Sequence, residues 1–118
     1  MFAYLFTIGT VCAIISLTVF FRKYAVGIVK GRSMLPYLKN NRPILVQKKF
    51  VLNVNDVYLI KLDNEERYFV KRLTDISYSP FGKMSLYFTG DNTDESYDSR
   101  EFGYIRTQNV LGKVIKII

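Results

Sequence analysis

The chain opens with an unbroken apolar run and then changes rhythm. Residues 1–21, MFAYLFTIGTVCAIISLTVFF, carry no charged side chain. A helix of that length, at about 1.5 Å per residue, matches the ~30 Å hydrocarbon core of a bilayer. A cleavable leader would begin with basic residues, hold a shorter apolar core and end at small residues. Here no Lys or Arg precedes the run and bulky FFRKY follows it. The pattern therefore predicts a retained transmembrane anchor over residues 1–23, with a separate domain over 24–118. In that second part apolar positions come in short alternating runs. ILVQKKFVL at 44–52, DVYLIKL at 56–62, RYFVKRL at 67–73, KMSLYFTG at 83–90 and GKVIKII at 112–118 read as strands. NVND, DNEE, SPFG and DNTDES supply the turns between them, DNEE as a hairpin. No segment after the anchor keeps a helical period over ten residues. The expected architecture is mostly β: a small antiparallel domain, a partial barrel or folded sheet, preceded by one N-terminal helix.

Composition narrows the chemistry more than it narrows the fold. The chain has no histidine, so a Ser-His-Asp arrangement is excluded. Its single cysteine, Cys12, lies inside the apolar run, which rules out an intrachain disulfide, a CxxC redox pair and a multi-cysteine zinc site. A net charge of +7 beside an anchor suits anionic lipid headgroups. No motif accompanies the charge and the aromatic residues, so no nucleic-acid partner is expected. Arg22 and Lys23 follow the span, and by the positive-inside rule they would place the body in the cytoplasm.

Three segments carry candidate chemistry. In VKGRSMLPYL, residues 29–38, Ser33 stands in a turn and is either a loop hydroxyl or a nucleophile. Without histidine, a nucleophilic Ser33 needs another base. A lysine serves only as the neutral amine, so its pKa of about 10.4 must fall through desolvation or a nearby cation. Lys71 in RYFVKRL is placed for that. Side chains two apart share a strand face, so Phe69, Lys71 and Leu73 point one way and Tyr68, Val70 and Arg72 the other. An amine between Phe69 and Leu73 on an inward face is desolvated, and Arg72 beside it adds a like charge. The alternative is a lysine whose stem covers apolar surface while its head reaches water. The third segment, GDNTDESYDSR at 90–100, resembles a calcium loop only at first sight. Ser96 stands where glycine is required and Phe102 where the final glutamate belongs. No metal or cofactor is implied, and the loop is otherwise a turn in which Asp91 or Asp98 pairs with Arg100.

Together these segments resemble the type I signal peptidase family, membrane-anchored serine proteases that use a Ser-Lys dyad. The family's G-x-S-M-x-P-T-L appears as GRSMLPYL at 31–38, and its strand ending in Lys-Arg as YFVKRL at 68–73. Its G-D-N-x-x-x-S-x-D-S-R-x-x-G appears as GDNTDESYDSREFG at 90–103 without a mismatch. The resemblance implies Ser33 as nucleophile and Lys71 as general base. Ser96 would orient the amine, and Asp98 and Arg100 would form a supporting ion pair. Gly90, Asp91 and Asn92 would shape the turn. The Ser33 backbone N–H would meet the oxyanion, and Met34 and Pro36 would contact substrate. Substrates would be exported precursor proteins with signal peptides, bound extended and cut after small side chains. The bilayer is the other implied partner, and oligomeric state is left open. The family's catalytic domain faces away from the cytoplasm, so the resemblance places this domain on the extracytoplasmic face of the plasma membrane, against the charge flank.

The departures point to a minimal, specialised member. Gly31 stands where some members supply a hydroxyl to the oxyanion, Tyr37 replaces a threonine, and Asn41-Arg42 interrupts the usual Gly-Asp. Asn55 replaces the glycine before Asp56, and the Gly-Leu-Pro-Gly-Asp that often follows Lys-Arg is missing. The short interval between Lys71 and Gly90 leaves no room for the extra β domain of larger members. Competing readings are a dedicated peptidase for pilin, conjugation or mitochondrial precursors, and a catalytically silent membrane-anchored binding module.

Overall fold

The computed structural model describes residues 2–116, with side chains described from Ile8 to Ile115. The apolar run forms α1, Phe2–Lys23, whose described apolar side chains are exposed along its length. Among the described residues no helix is long and apolar enough to cross a membrane. Met1 of the expected anchor lies outside the described residues, as do the last two residues of the expected strand at 112–118.

The rest is an antiparallel sheet, as the alternation predicts. The strands are β1 (Tyr24–Ile28), β2 (Pro43–Gln47), β3 (Val57–Lys61), β4 (Tyr68–Tyr78), β5 (Met84–Thr89), β6 (Ile105–Arg106) and β7 (Val110–Lys116). They form one seven-stranded sheet in the order β1-β2-β7-β3-β4-β5-β6, every neighbouring pair antiparallel. A short helix α2, Ser99–Phe102, follows the acidic loop.

β6 was not expected and β7 starts at Val110 rather than at 112; three further differences, in β1, β2 and β4, have visible causes. β1 is new: YAVGI is masked by the apolar run before it, and it becomes a strand by pairing with β2 from Tyr24↔Gln47 to Ile28↔Pro43. β2 stops at Gln47 instead of running on to residue 52. The Lys48 N–H donates to Lys23 O at 2.8 Å and its Nζ to Phe21 O at 2.6 Å, so the chain turns away to close the end of α1. β4 runs on to Tyr78 because β5 pairs with it as far as Tyr78↔Met84.

Alternation distributes the core to both faces of the sheet. On β3, Val57 joins a cluster with Met34, Leu38, Ile44, Val46 and Val114. Its neighbour Tyr58 joins Ile60, Leu73, Leu86, Phe88 and Val110 on the other side. A register shift between Leu59 and Ile60 lets β7 serve both, with Val110 on one side and Val114 on the other. Met34 and Leu38 come from the loop that carries Ser33, so burial of that loop is part of the core itself.

Two of the noted departures are conservative in conformation. Asn41 has φ +64° and Asn55 φ +82°. Asparagine is among the few residues other than glycine that tolerate this region, so each can replace a glycine there without forcing the turn to change.

Candidate active site

β4 presents Lys71 inward, where it is 3% exposed. Its Nζ donates to Ser96 Oγ at 3.1 Å. Ser96 in turn donates to Asp98 Oδ2 at 2.8 Å, the direction an ionised carboxylate requires since it only accepts. Asp98 is fully buried and takes Arg100 as a fork, Nε to Oδ1 at 2.9 Å and Nη2 to Oδ2 at 2.7 Å. It also accepts the Gly90 N–H at 2.8 Å and, as N-cap of α2, the Arg100 N–H at 3.1 Å. Glu101 closes the reciprocal bond from its carboxylate to the Asp98 N–H at 2.9 Å. Burial alone would raise the Asp98 pKa; the hydrogen bonds from Arg100, Gly90 and Ser96 outweigh it and hold the carboxyl well below the usual carboxylate range.

Lys71 shifts the other way from an exposed lysine. Desolvation lowers its pKa first, Asp98 pulls it back up, and Arg100 opposes Asp98. The like charge expected from Arg72 is thus supplied by Arg100 instead. Arg72 projects from the opposite face and is held by Asp91, Nε to Oδ1 at 2.8 Å and Nη2 to Oδ2 at 2.7 Å. Its guanidinium lies 4.8 Å from the ring centroid of Tyr37. The two acids therefore divide the two arginines, Asp98 with Arg100 and Asp91 with Arg72.

Ser33 is half-buried in the turn that follows β1, and the acidic loop grips that turn. The Asn92 N–H donates to Ser33 O at 2.8 Å and Asn92 Nδ2 to Arg32 O at 3.1 Å. Gly90 makes the approach possible: a Cβ there would stand 2.1 Å from Ser96 Oγ and 2.6 Å from Ser33 O. Ser33 and Lys71 line the same groove of about 580 Å³, with Met34 and residues 25–28 of β1. Pro36 is exposed and is not among the lining residues. The Gly31 N–H donates to Asn40 Oδ1 at 2.9 Å, so it is already committed.

The groove has two open strand edges. β1 is the first strand of the sheet. β4 pairs with β5 only from Arg72 onward, so among the described residues no strand pairs with 68–71 on that side. The Arg72–Asp91 pair, the stacking of Arg72 on Tyr37 and the bond of Glu101 to the Asp98 N–H were not legible in the sequence. The one available signal was Glu101, three residues after an Asp at a helix start.

The structure thus brings a half-buried hydroxyl, Ser33, and a desolvated amine, Lys71, to one groove. Residues 81–118, about a third of the chain, are similar to the family described as Signal peptidase, peptidase S26. No curated protein matches the chain. The match bears out the resemblance to type I signal peptidases and is to serine peptidases of that type. It covers Gly90, Asp91, Asn92, Ser96, Asp98 and Arg100; Ser33 and Lys71 lie before it.

Proposed function

We propose that the protein is a serine endopeptidase that removes signal peptides from exported precursors through a Ser33-Lys71 dyad, held at the membrane by α1. The observation that carries this reading is the buried Lys71 amine, hydrogen-bonded to a neutral hydroxyl and opening on the groove that holds Ser33. The hydroxyl proton of Ser96 is committed to Asp98, so Ser96 accepts from Lys71 and fixes the amine by one N–H. The nitrogen lone pair is then left for the Ser33 side.

An extended precursor segment pairs with the open edges of β1 and β4 and lays its scissile carbonyl beside Ser33. Lys71 takes the Ser33 proton as Oγ bonds to the carbonyl carbon. The Ser33 N–H receives the oxyanion. Collapse breaks the C–N bond, and the Lys71 ammonium returns its proton to the departing amine. Lys71 then deprotonates the water that hydrolyses the acyl-enzyme ester, releasing the second product and restoring Ser33. The committed Gly31 N–H leaves the second oxyanion donor to substrate-induced movement or to the single N–H alone.

Membrane attachment is supported by the 21 charge-free residues at the start and by the exposed apolar side chains of α1. The extracytoplasmic placement of the domain rests on the family. The test is cleavage of a precursor with an Ala-x-Ala site by the detergent-solubilised chain, beside Ser33→Ala and Lys71→Ala. Cleavage by the parent alone is the expected result; cleavage that persists in either variant contradicts the dyad.

A further inference from the structure

Charge is divided unevenly along the chain. Residues 1–55 hold eight basic side chains and no acidic one, while all ten acids fall from Asp56 onward. The ion pairs among the described residues draw their cations from the second part: Arg67, Arg72, Arg100, Arg106 and Lys113. Among the described residues, then, no ion pair neutralises the first part's charge.

Four of those eight cations gather where α1 ends. Arg22 and Lys23 form its last turn. Lys48 closes the helix end by donating Nζ to Phe21 O, and its N–H bonds Lys23 O. A lysine on C-terminal carbonyls also meets the negative end of the helix dipole. This staple ties Lys48, at the start of the segment 48–54, to the end of the helix. Within that segment Phe50 and Leu52 pack inward against the core. Lys49 and Val51 therefore turn outward, Val51 being 75% exposed, and Val54 is exposed as well.

We infer that residues 48–54, with the last turn of α1, form a seat on which the catalytic domain rests against an anionic membrane surface. The cations meet lipid phosphates, and Val51 and Val54 enter the boundary between headgroups and acyl chains. Uncompensated positive charge interleaved with exposed apolar side chains, continuous with an apolar helix, is complementary to such a surface. The inference rests on the reading of α1 as membrane-inserted. Because β1 begins at Tyr24, directly after α1, the seat also sets the groove at a fixed height above the lipid.

The chain has no tryptophan, so Val51→Trp supplies a single reporter at an exposed position. The full-length V51W chain is reconstituted into phosphatidylcholine vesicles with and without phosphatidylglycerol, each brominated near the headgroup. Fluorescence is expected to be quenched in the anionic vesicles and relieved by salt. Adding Lys49→Gln is expected to lower the docking equilibrium constant, read from the salt and anionic-lipid titration of the quenching, about fivefold, the weight of one cation near such a surface. V54W repeats the measurement should V51W perturb the loop. Quenching that is absent, or equal in neutral and anionic vesicles, overturns the seat while the chain still floats with the vesicles. Failure to float overturns the membrane reading of α1, and the seat with it.

Discussion

Lys71 and Arg72 are adjacent on β4, and their surroundings reverse each other. Lys71 faces the groove, where its amine contacts a neutral hydroxyl, and the nearest carboxylate stands one group further away in the grip of Arg100. Arg72 faces the other side and meets Asp91 directly through two parallel hydrogen bonds. A carboxylate in contact preserves a cation, whereas one reached through a hydroxyl and shared with a guanidinium leaves desolvation in control. One side chain thus has its neutral form favoured. Its neighbour becomes a fastener between β4, the 90–92 turn and Tyr37 in the serine loop. The difference lies in the wiring behind each residue and not in its place along the strand.

Substituting the two cations alike is the sharpest way to break this comparison. Lys71→Met is expected to lower precursor cleavage by about 10⁴-fold or more. Its melting temperature should equal or exceed the parent's. The sign follows from linkage: the folded pKa of Lys71 lies below its unfolded value, so at neutral pH the unfolded chain binds more protons there and the lysine opposes folding. Arg72→Met should do the opposite, keeping the dyad but lowering the melting temperature, because Asp91 is left without its partner. Calorimetry beside a cleavage assay separates the two.

Gly90→Ala ranks next. Its Cβ would collide with Ser96 Oγ and Ser33 O, displacing Ser96 from Lys71 and shifting the Ser33 backbone, so cleavage should fall about 10²–10³-fold. Asp98→Asn should cost about 3 kcal/mol at neutral pH, read from denaturant unfolding. Because the folded carboxyl titrates below the ordinary 3.8, its stabilising share is present above that pH and is lost as acid carries it through the folded value. The variant should lack that acid-sensitive portion. The smallest effect is a displacement of the pH–rate profile. Arg100→Gln withdraws the charge that lowers the Lys71 pKa, so the midpoint should move to higher pH, each unit costing about tenfold in rate at neutral pH. Arg72→Gln should leave the midpoint in place.

Much of the site was legible before the fold was known. Alternation in YFVKRL put Lys71 on the face of Phe69 and Leu73, and Lys71 is buried there. GDNTDESYDSR read as a turn that returns beside the lysine, and its Ser96 does so. What stayed hidden depended on partners distant in sequence. Asp91 and Asp98 are equally acidic in the sequence, and only the sheet decides which arginine each receives. β1 could not be separated from the apolar run before it, since its signal is pairing with β2. The overlong strand at 44–52 failed for a similar reason: its alternation persists past Gln47, but the backbone there serves the end of α1. Asn41 and Asn55 looked like losses of glycine until their positive φ angles explained them.

The central claim is that the Lys71 amine titrates below an ordinary lysine in the folded chain, and its own titration tests that most directly. In the Ser33→Ala chain, site-resolved NMR of the lysine side chains should show one signal, missing in Lys71→Met, that titrates below the ordinary 10.5. That midpoint should rise when Arg100→Gln is added. A Lys71 signal that titrates together with the exposed lysines, and does not respond to Arg100, would contradict the account.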